Sequence, residues 1–156
     1  MFSPTELLAS PTWPYRDLQS EDAEGAIREL HMSLKGNHAI SSQELFLKDL
    51  IARHFLAPAA LNADIALPHA RTTAVNDIVL AIGRSRGGVK FDPEHGAVRL
   101  IVLIGTPKER AFDYLRLLAT LTRVLHSPRT REDLISAADE AAFRMEFTSA
   151  VKSVAV

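Results

Sequence analysis

His69 follows Pro68 at the end of a short apolar run, Ile65-Ala66-Leu67, and Arg71 stands two places further on. Proline fixes φ and takes away a backbone donor. An imidazole placed after it sits at the mouth of a strand, open to a cleft yet held in orientation. Neutral near physiological pH, such a ring can act as a nucleophile. Arg71 and Arg53 are the nearest candidates in sequence for holding an anionic group, because a planar guanidinium suits phosphate. Spacing alone also fits a packed or solvated imidazole with no chemistry, so both readings stand at this point.

The other five histidines separate by context. His31 and His54 fall on helical segments at spacings compatible with partial burial, and His38, His95 and His126 lie among turn residues. No pair has the i, i+4 spacing of a helical metal site, and there is no cysteine, so no metal site is expected. Phosphate-cradling G-x-x-x-x-G-K-[ST] and G-x-G-x-x-G loops are missing, as are a G-x-S-x-G elbow and H-E-x-x-H. The Gly-rich piece Gly83-Arg84-Ser85-Arg86-Gly87-Gly88 joins two apolar runs and is expected to be a turn.

Composition narrows the class further. The 156 residues suit one compact domain, and 47% hydrophobic with 24% charged residues is ordinary for a globular chain. A net charge of −1 argues against nucleic acid, whose readers carry a basic excess. No apolar run approaches the roughly 18–20 residues that cross a bilayer. The opening MFSPTELLASPTWPYRD has neither a basic start nor an apolar core, so no secretory signal or membrane insertion is expected. The expected location is cytoplasmic.

Several elements must position these residues. Tyr15–Leu18 is expected to be a short edge strand. Ser20 is expected to cap a helix with the apolar stripe Ala26, Ile27, Leu30 and Leu34, ended by Gly36. Ser41 and Glu44 have capping-box spacing before a helix carrying Leu45, Leu47, Leu50, Ile51, His54 and Phe55, with Pro58 past its end. Ile65–Leu67 reads as a short strand. Asp77–Gly83 and Ala97–Ile104 read as longer ones, apolar enough for a sheet covered on both faces. Thr106 is expected to cap the next helix, with Pro107 at its first position and a stripe of Tyr114, Leu117, Leu118, Leu121, Val124 and Leu125. Helices over 131–138 and 140–151 complete a three-layer α/β/α sandwich with a mixed sheet. The expected division is an N-terminal extension over 1–14, one domain over 15–151 and a tail over 152–156.

Asp64-Ile65-Ala66-Leu67-Pro68-His69-Ala70 resembles the G-I-A-I-P-H motif of enzyme IIA components of the fructose–mannitol class of the bacterial phosphotransferase system, a class that includes the nitrogen-regulatory paralogue. Asp17-Leu18 followed by Glu24-Gly25-Ala26-Ile27-Arg28-Glu29-Leu30 is similar to the family's opening strand and helix. Arg53, sixteen residues before His69, stands where members carry the arginine of an R-E pair. Ile78–Gly83, Phe91-Asp92 and Val98–Ile104 follow the family's course, and 114–121 looks like its Leu-rich helix. The resemblance covers roughly residues 15–148.

The resemblance implies that His69 is the phosphorylated histidine. It would take a phosphoryl group from HPr or an HPr-like carrier and pass it to a IIB domain or hold it as a regulatory mark, without a cofactor. Arg53 would organise the site around the phosphohistidine. Tyr114 stands where members usually have a second histidine, and its phenol can donate a hydrogen bond to a phosphate oxygen. His54 replaces the glutamate after the arginine, Ala59 a threonine and Asp64 the motif glycine. A carboxylate at Asp64 is expected to repel a phosphorylated His69 unless it points to solvent. An alternative reading is a non-catalytic regulatory binding module of the same fold.

Overall fold

The computed structural model describes residues 1–57, 60, 64–94 and 96–155. The expected Pro58 helix stop, the threonine-to-alanine change at Ala59 and the turn at His95 therefore lie outside the described residues. Along the chain run α1 (Pro4–Ala9), β1 (Tyr15–Asp17), α2 (Ala23–Ser33), α3 (Gln43–Leu56), β2 (Ile65–Ala66) and β3 (His69–Arg71). Then come β4 (Val79–Asp92), β5 (Gly96–Thr106), a 3₁₀ turn (Lys108–Arg110), α4 (Ala111–Val124), α5 (Pro128–Ile135) and α6 (Glu140–Val154).

The sheet is mixed. β4 and β5 form its antiparallel centre, β1 lies parallel to β4 on one edge, and β2 and β3 both lie parallel to β5 on the other. The near-continuous apolar runs of β4 and β5 split by alternation, as a two-sided strand must. Leu80, Ile82, Leu100, Val102 and Ile104 face a core shared with Trp13, Tyr114, Leu117, Leu121, Phe143 and Phe147. Val79, Ala81, Ile101 and Leu103 face a second core with Ile27, Leu30, Phe46 and Leu50. Helices α2 and α3 thus cover one face, while α1, α4, α5 and α6 cover the other. This is the expected α/β/α sandwich.

Four local expectations are corrected, three of them because a longer-range hydrogen bond outcompetes the local signal. Ser20 does not cap α2: its N–H donates to the Glu29 carboxylate at 2.7 Å, and Asp22 caps instead by accepting from Gly25 N–H. Ser41 is drawn to the Ala74 carbonyl by both its N–H and its hydroxyl, so Ser42 caps α3. Thr106 ends β5 with its carbonyl accepting from Thr72 N–H, and the 3₁₀ turn precedes α4 without a side-chain cap. Gly83–Gly88 is not a turn between strands but part of β4, where the register shifts between Arg84 and Val89. Gly88 takes φ +89° at this bulge, and its N–H donates to Ser85 Oγ.

Segment 1–14 packs onto the sandwich: Leu8 and Trp13 are buried with α6 residues, and Trp13 meets Phe147 edge-to-face at 5.4 Å.

Candidate functional site

Pro68 divides what would be one edge strand into β2 and β3. Its carbonyl still accepts from Ile104 N–H, so the chain stays on β5, and His69 opens β3 in register with Ile104. The Leu67 carbonyl turns to the His69 ring and accepts from Nδ1 at 2.8 Å. A carbonyl can only accept, so this bond places the ring proton on Nδ1 and leaves the Nε2 lone pair free. Burial holds the imidazole below the ordinary histidine pKa; the Leu67 carbonyl opposes this and the Arg53 charge adds to it. The result is a neutral, oriented imidazole with one nucleophilic nitrogen.

Tyr114, in the first turn of α4, fixes the ring from the side. The two rings stack with centroids 5.1 Å apart and planes 29° apart, and Tyr114 is itself part of the core beside Leu117. Burial raises the phenol pKa, so it remains a neutral O–H donor.

Arg53 comes from the opposite layer. It lies in the last turn of α3, where a cation suits the helix C-terminus, and its Nη1 donates to the Ala57 carbonyl at 2.9 Å. Its charge acts on both His69 and Tyr114. A cleft of about 320 Å³ is lined by Asp49, Ala52, Arg53 and Leu56 of α3, His69–Arg71 of β3, and Lys108. The sheet edge at β3 lets groups from both helical layers reach one ring.

The structure therefore brings together His69, Arg53 and Tyr114. It also brings in Arg71, two residues from His69 and so on the same side of β3, whose Nη2 donates to the Lys108 carbonyl at 3.2 Å. Among the described residues, Arg53, Arg71 and Lys108 have no carboxylate within ion-pair distance. The one carboxylate lining the cleft, Asp49, accepts from the Thr72 hydroxyl at 2.6 Å. Lys108, beside Pro107 in the segment expected to open a helix, carried no local signal for a site. Asp49 stands four residues before Arg53, and that helical spacing was the available signal for it.

Two departures resolve. Asp64 neither reaches His69 nor points to open solvent. Its carboxylate binds Arg99 at 2.9 Å and lies 3.5 Å from Arg131, beside the start of β2. Its carbonyl meets Leu100 N–H while His69 pairs with Ile104, a separation of about 13 Å along a strand. His54 turns away to meet Phe91 edge-on at 5.7 Å.

Residues 12–150 match the family described as "Phosphoenolpyruvate-dependent sugar phosphotransferase system, EIIA 2". The chain belongs to this family. The EIIA domain is 33% identical over 129 residues to the 2-O-alpha-mannosyl-D-glycerate-specific EIIABC component of Escherichia coli K12, covering 75% of this chain and 20% of that protein. The chain spans about a fifth of the length of such multidomain relatives. Among solved structures it is similar to nitrogen regulatory protein IIA-Ntr of Neisseria meningitidis, with a TM-score of 0.75 at 23% identity over 85% of this chain and 91% of that one. It is also similar to the IIA mannitol enzyme of E. coli, solved in complex with phosphorylated IIB mannitol, with a TM-score of 0.70 at 20% identity over 85% and 93%. These likenesses establish the mannitol-type IIA fold. Among the described residues, no helix is long and apolar enough to cross a membrane and no cluster could hold a metal.

Proposed function

We propose that this EIIA domain is a phosphohistidine carrier that accepts a phosphoryl group on Nε2 of His69 from HPr or an HPr-like donor. The observation that carries this reading is the bond from His69 Nδ1–H to the Leu67 carbonyl, which leaves Nε2 as the free nucleophile beside a cationic cleft.

In the transfer, Nε2 attacks phosphorus in line with the donor's P–N bond. A P–Nε2 bond forms, and the donor nitrogen departs with its electron pair. A donor ring phosphorylated and protonated on its other nitrogen leaves as neutral imidazole. His69, already carrying its proton on Nδ1, becomes the phosphorylated imidazolium. No proton has to move, and the Leu67 carbonyl stabilises the charge that develops on the ring. Arg53 and the cations of Arg71 and Lys108 offset charge on the equatorial oxygens, where phosphoryl transfer needs it. Tyr114 keeps the ring from rotating and offers its O–H to one oxygen. Positioning is most of the catalysis here, because exchange between two histidines is nearly balanced.

The phosphoryl group then passes to a IIB domain or remains as a regulatory mark. The solved IIA–IIB complex supports the first route, and likeness to IIA-Ntr leaves the second available. On either route the domain acts in the cytoplasm, a reading its lack of a membrane-crossing helix among the described residues supports. The test is incubation with phosphoenolpyruvate, enzyme I and HPr, including the nitrogen-branch pair, followed by intact mass. One acid-labile phosphoryl group, lost in His69→Ala, is expected. No gain with any donor pair would instead favour a binding module that docks without phosphorylation.

A further inference from the structure

Arg53 is useful to His69 only if the end of α3 stays over the β3 edge, and two adjacent contacts seat that helix. Phe46 packs on Gly105 of β5, where an added Cβ would come within 2.6 Å of the phenyl ring, so the missing side chain sets how close α3 lies. One turn later, Asp49 Oδ2 accepts from the Thr72 hydroxyl at 2.6 Å. Thr72 is fully buried, follows β3 directly and is fixed at three points: its N–H on the Thr106 carbonyl, its Oγ1 taking Ala74 N–H, and the same hydroxyl donating to Asp49. Phe46, Asp49 and Arg53 follow at i, i+3 and i+7, one face of a helix.

We propose that Asp49 is a positioning residue for phosphoryl transfer: held by the Thr72 hydroxyl, it locks the last turn of α3 to β3 and so aims Arg53 at His69. Thr72 lies three residues from His69, and Asp49 one turn from Arg53. The bond therefore links the nucleophile's strand to the cation's helix within a few residues of each. Without it, Phe46 and Leu50 still anchor the body of α3 and His54 still meets Phe91, but the side of the last turn that carries Arg53 lines the cleft, with Phe55 and Leu56 largely in solvent. The inference rests on the phosphoryl-carrier reading for its functional meaning, but not for its structural test.

Thr72→Val removes the hydroxyl at nearly constant volume, and Thr72→Ser restores it. The initial rate of phosphoryl uptake at saturating HPr is expected to fall by roughly tenfold or more in Thr72→Val, since small misplacements of a catalytic group cost rates of this order. Thr72→Ser should recover most of it. Because Asp49 acts through Arg53, Thr72→Val should cost almost nothing further in an Arg53→Ala background. Equal losses in both backgrounds, or no loss in either, would overturn the proposal. Asp49→Asn, which keeps an acceptor for Thr72, should lose less than Asp49→Ala, and equal losses would assign a charge effect instead of positioning.

A second measurement needs no phosphorylation. NMR titration of the His69 ring should show its midpoint rising in Thr72→Val, in the same direction as in Arg53→Ala. Asp49, Arg53, Arg71, Lys108 and Tyr114 are the groups around that ring, and none changes charge in this variant. An unchanged midpoint in a folded Thr72→Val protein would refute the lock even if wild type takes no phosphoryl group, whereas the absence of uptake by wild type would refute only the carrier reading.

Discussion

The His69 imidazole lies against the Tyr114 phenol, ring centroids 5.1 Å apart with planes 29° apart. A stack of this kind fixes the plane of the imidazole, and the Leu67 carbonyl fixes its rotation within that plane. Together they leave one nitrogen exposed in one direction. Tyr114 is thus both a site group and a core residue, and variants separate the two roles.

Tyr114→Phe keeps the stack and the fill. Its stability should stay within about 1 kcal/mol of wild type, while phosphohistidine lifetime shortens if the phenol donates to the phosphoryl group. Tyr114→Ala removes the ring from a packed site and should cost about 3 kcal/mol in chemical denaturation. Tyr114→His should raise the rate of uptake or the phosphohistidine lifetime if a second imidazole is what limits the site. Unchanged values for both would reject that limitation.

Arg53→Ala should lower the rate of phosphoryl uptake by roughly 10²-fold, the usual scale for removing one donor to a developing oxyanion. Arg53→Lys should recover only part, because an ammonium cannot offer the paired N–H geometry. Stopped-flow or quenched-flow uptake from phosphorylated HPr measures both. Retention of the full rate in Arg53→Ala would pass the role to Arg71 and Lys108.

The depressed His69 pKa fixes the sign of two pH effects. The folded ring resists protonation, so below about 6.5 the unfolded chain takes up a proton that the folded one refuses. Stability should therefore decline as pH drops from about 6.5, until the folded ring is itself protonated. His54, lowered chiefly by its burial, contributes with the same sign despite opposing charge from Glu24 and Asp92. His69→Gln should flatten part of that decline in pH-dependent denaturation. The fall of the uptake rate with pH should have its midpoint below 6.5, because the folded ring stays neutral to lower pH than a free imidazole. A rate that halves at pH 6.5 or above would contradict the buried, neutral imidazole.

Asp64→Asn should leave the uptake rate within about twofold of wild type and cost about 1 kcal/mol of stability, because the carboxylate serves Arg99 and Arg131 and not the phosphoryl group. A large gain in rate would revive the idea that this carboxylate repels the phosphohistidine.

These residues mark what a sequence discloses and what it does not. The layers of the sandwich were legible because β4 and β5 are apolar on both faces and α2 and α4 carry clear stripes. The motif, the spacing and the Leu-rich helix singled out His69, Arg53 and Tyr114, and the fold brings these three side chains together. The Asp49–Thr72 bond was not, because it joins residues 23 apart through a fold that brings α3 over the sheet edge. Asp64 was misjudged for the same reason: its partners Arg99 and Arg131 lie 35 and 67 positions away. Ser20, Ser41 and Thr106 each carried a sound local capping signal and each yielded to a longer-range hydrogen bond.

On the proposed function, His69 accepts the phosphoryl group on Nε2 while Nδ1 keeps its proton. Nitrogen-15 and phosphorus-31 NMR of the protein phosphorylated through phosphoenolpyruvate, enzyme I and HPr reads both nitrogens directly. A phosphorus coupling to Nε2 of His69, with Nδ1 protonated, is expected. Phosphorus on Nδ1, or on any other side chain, would contradict it.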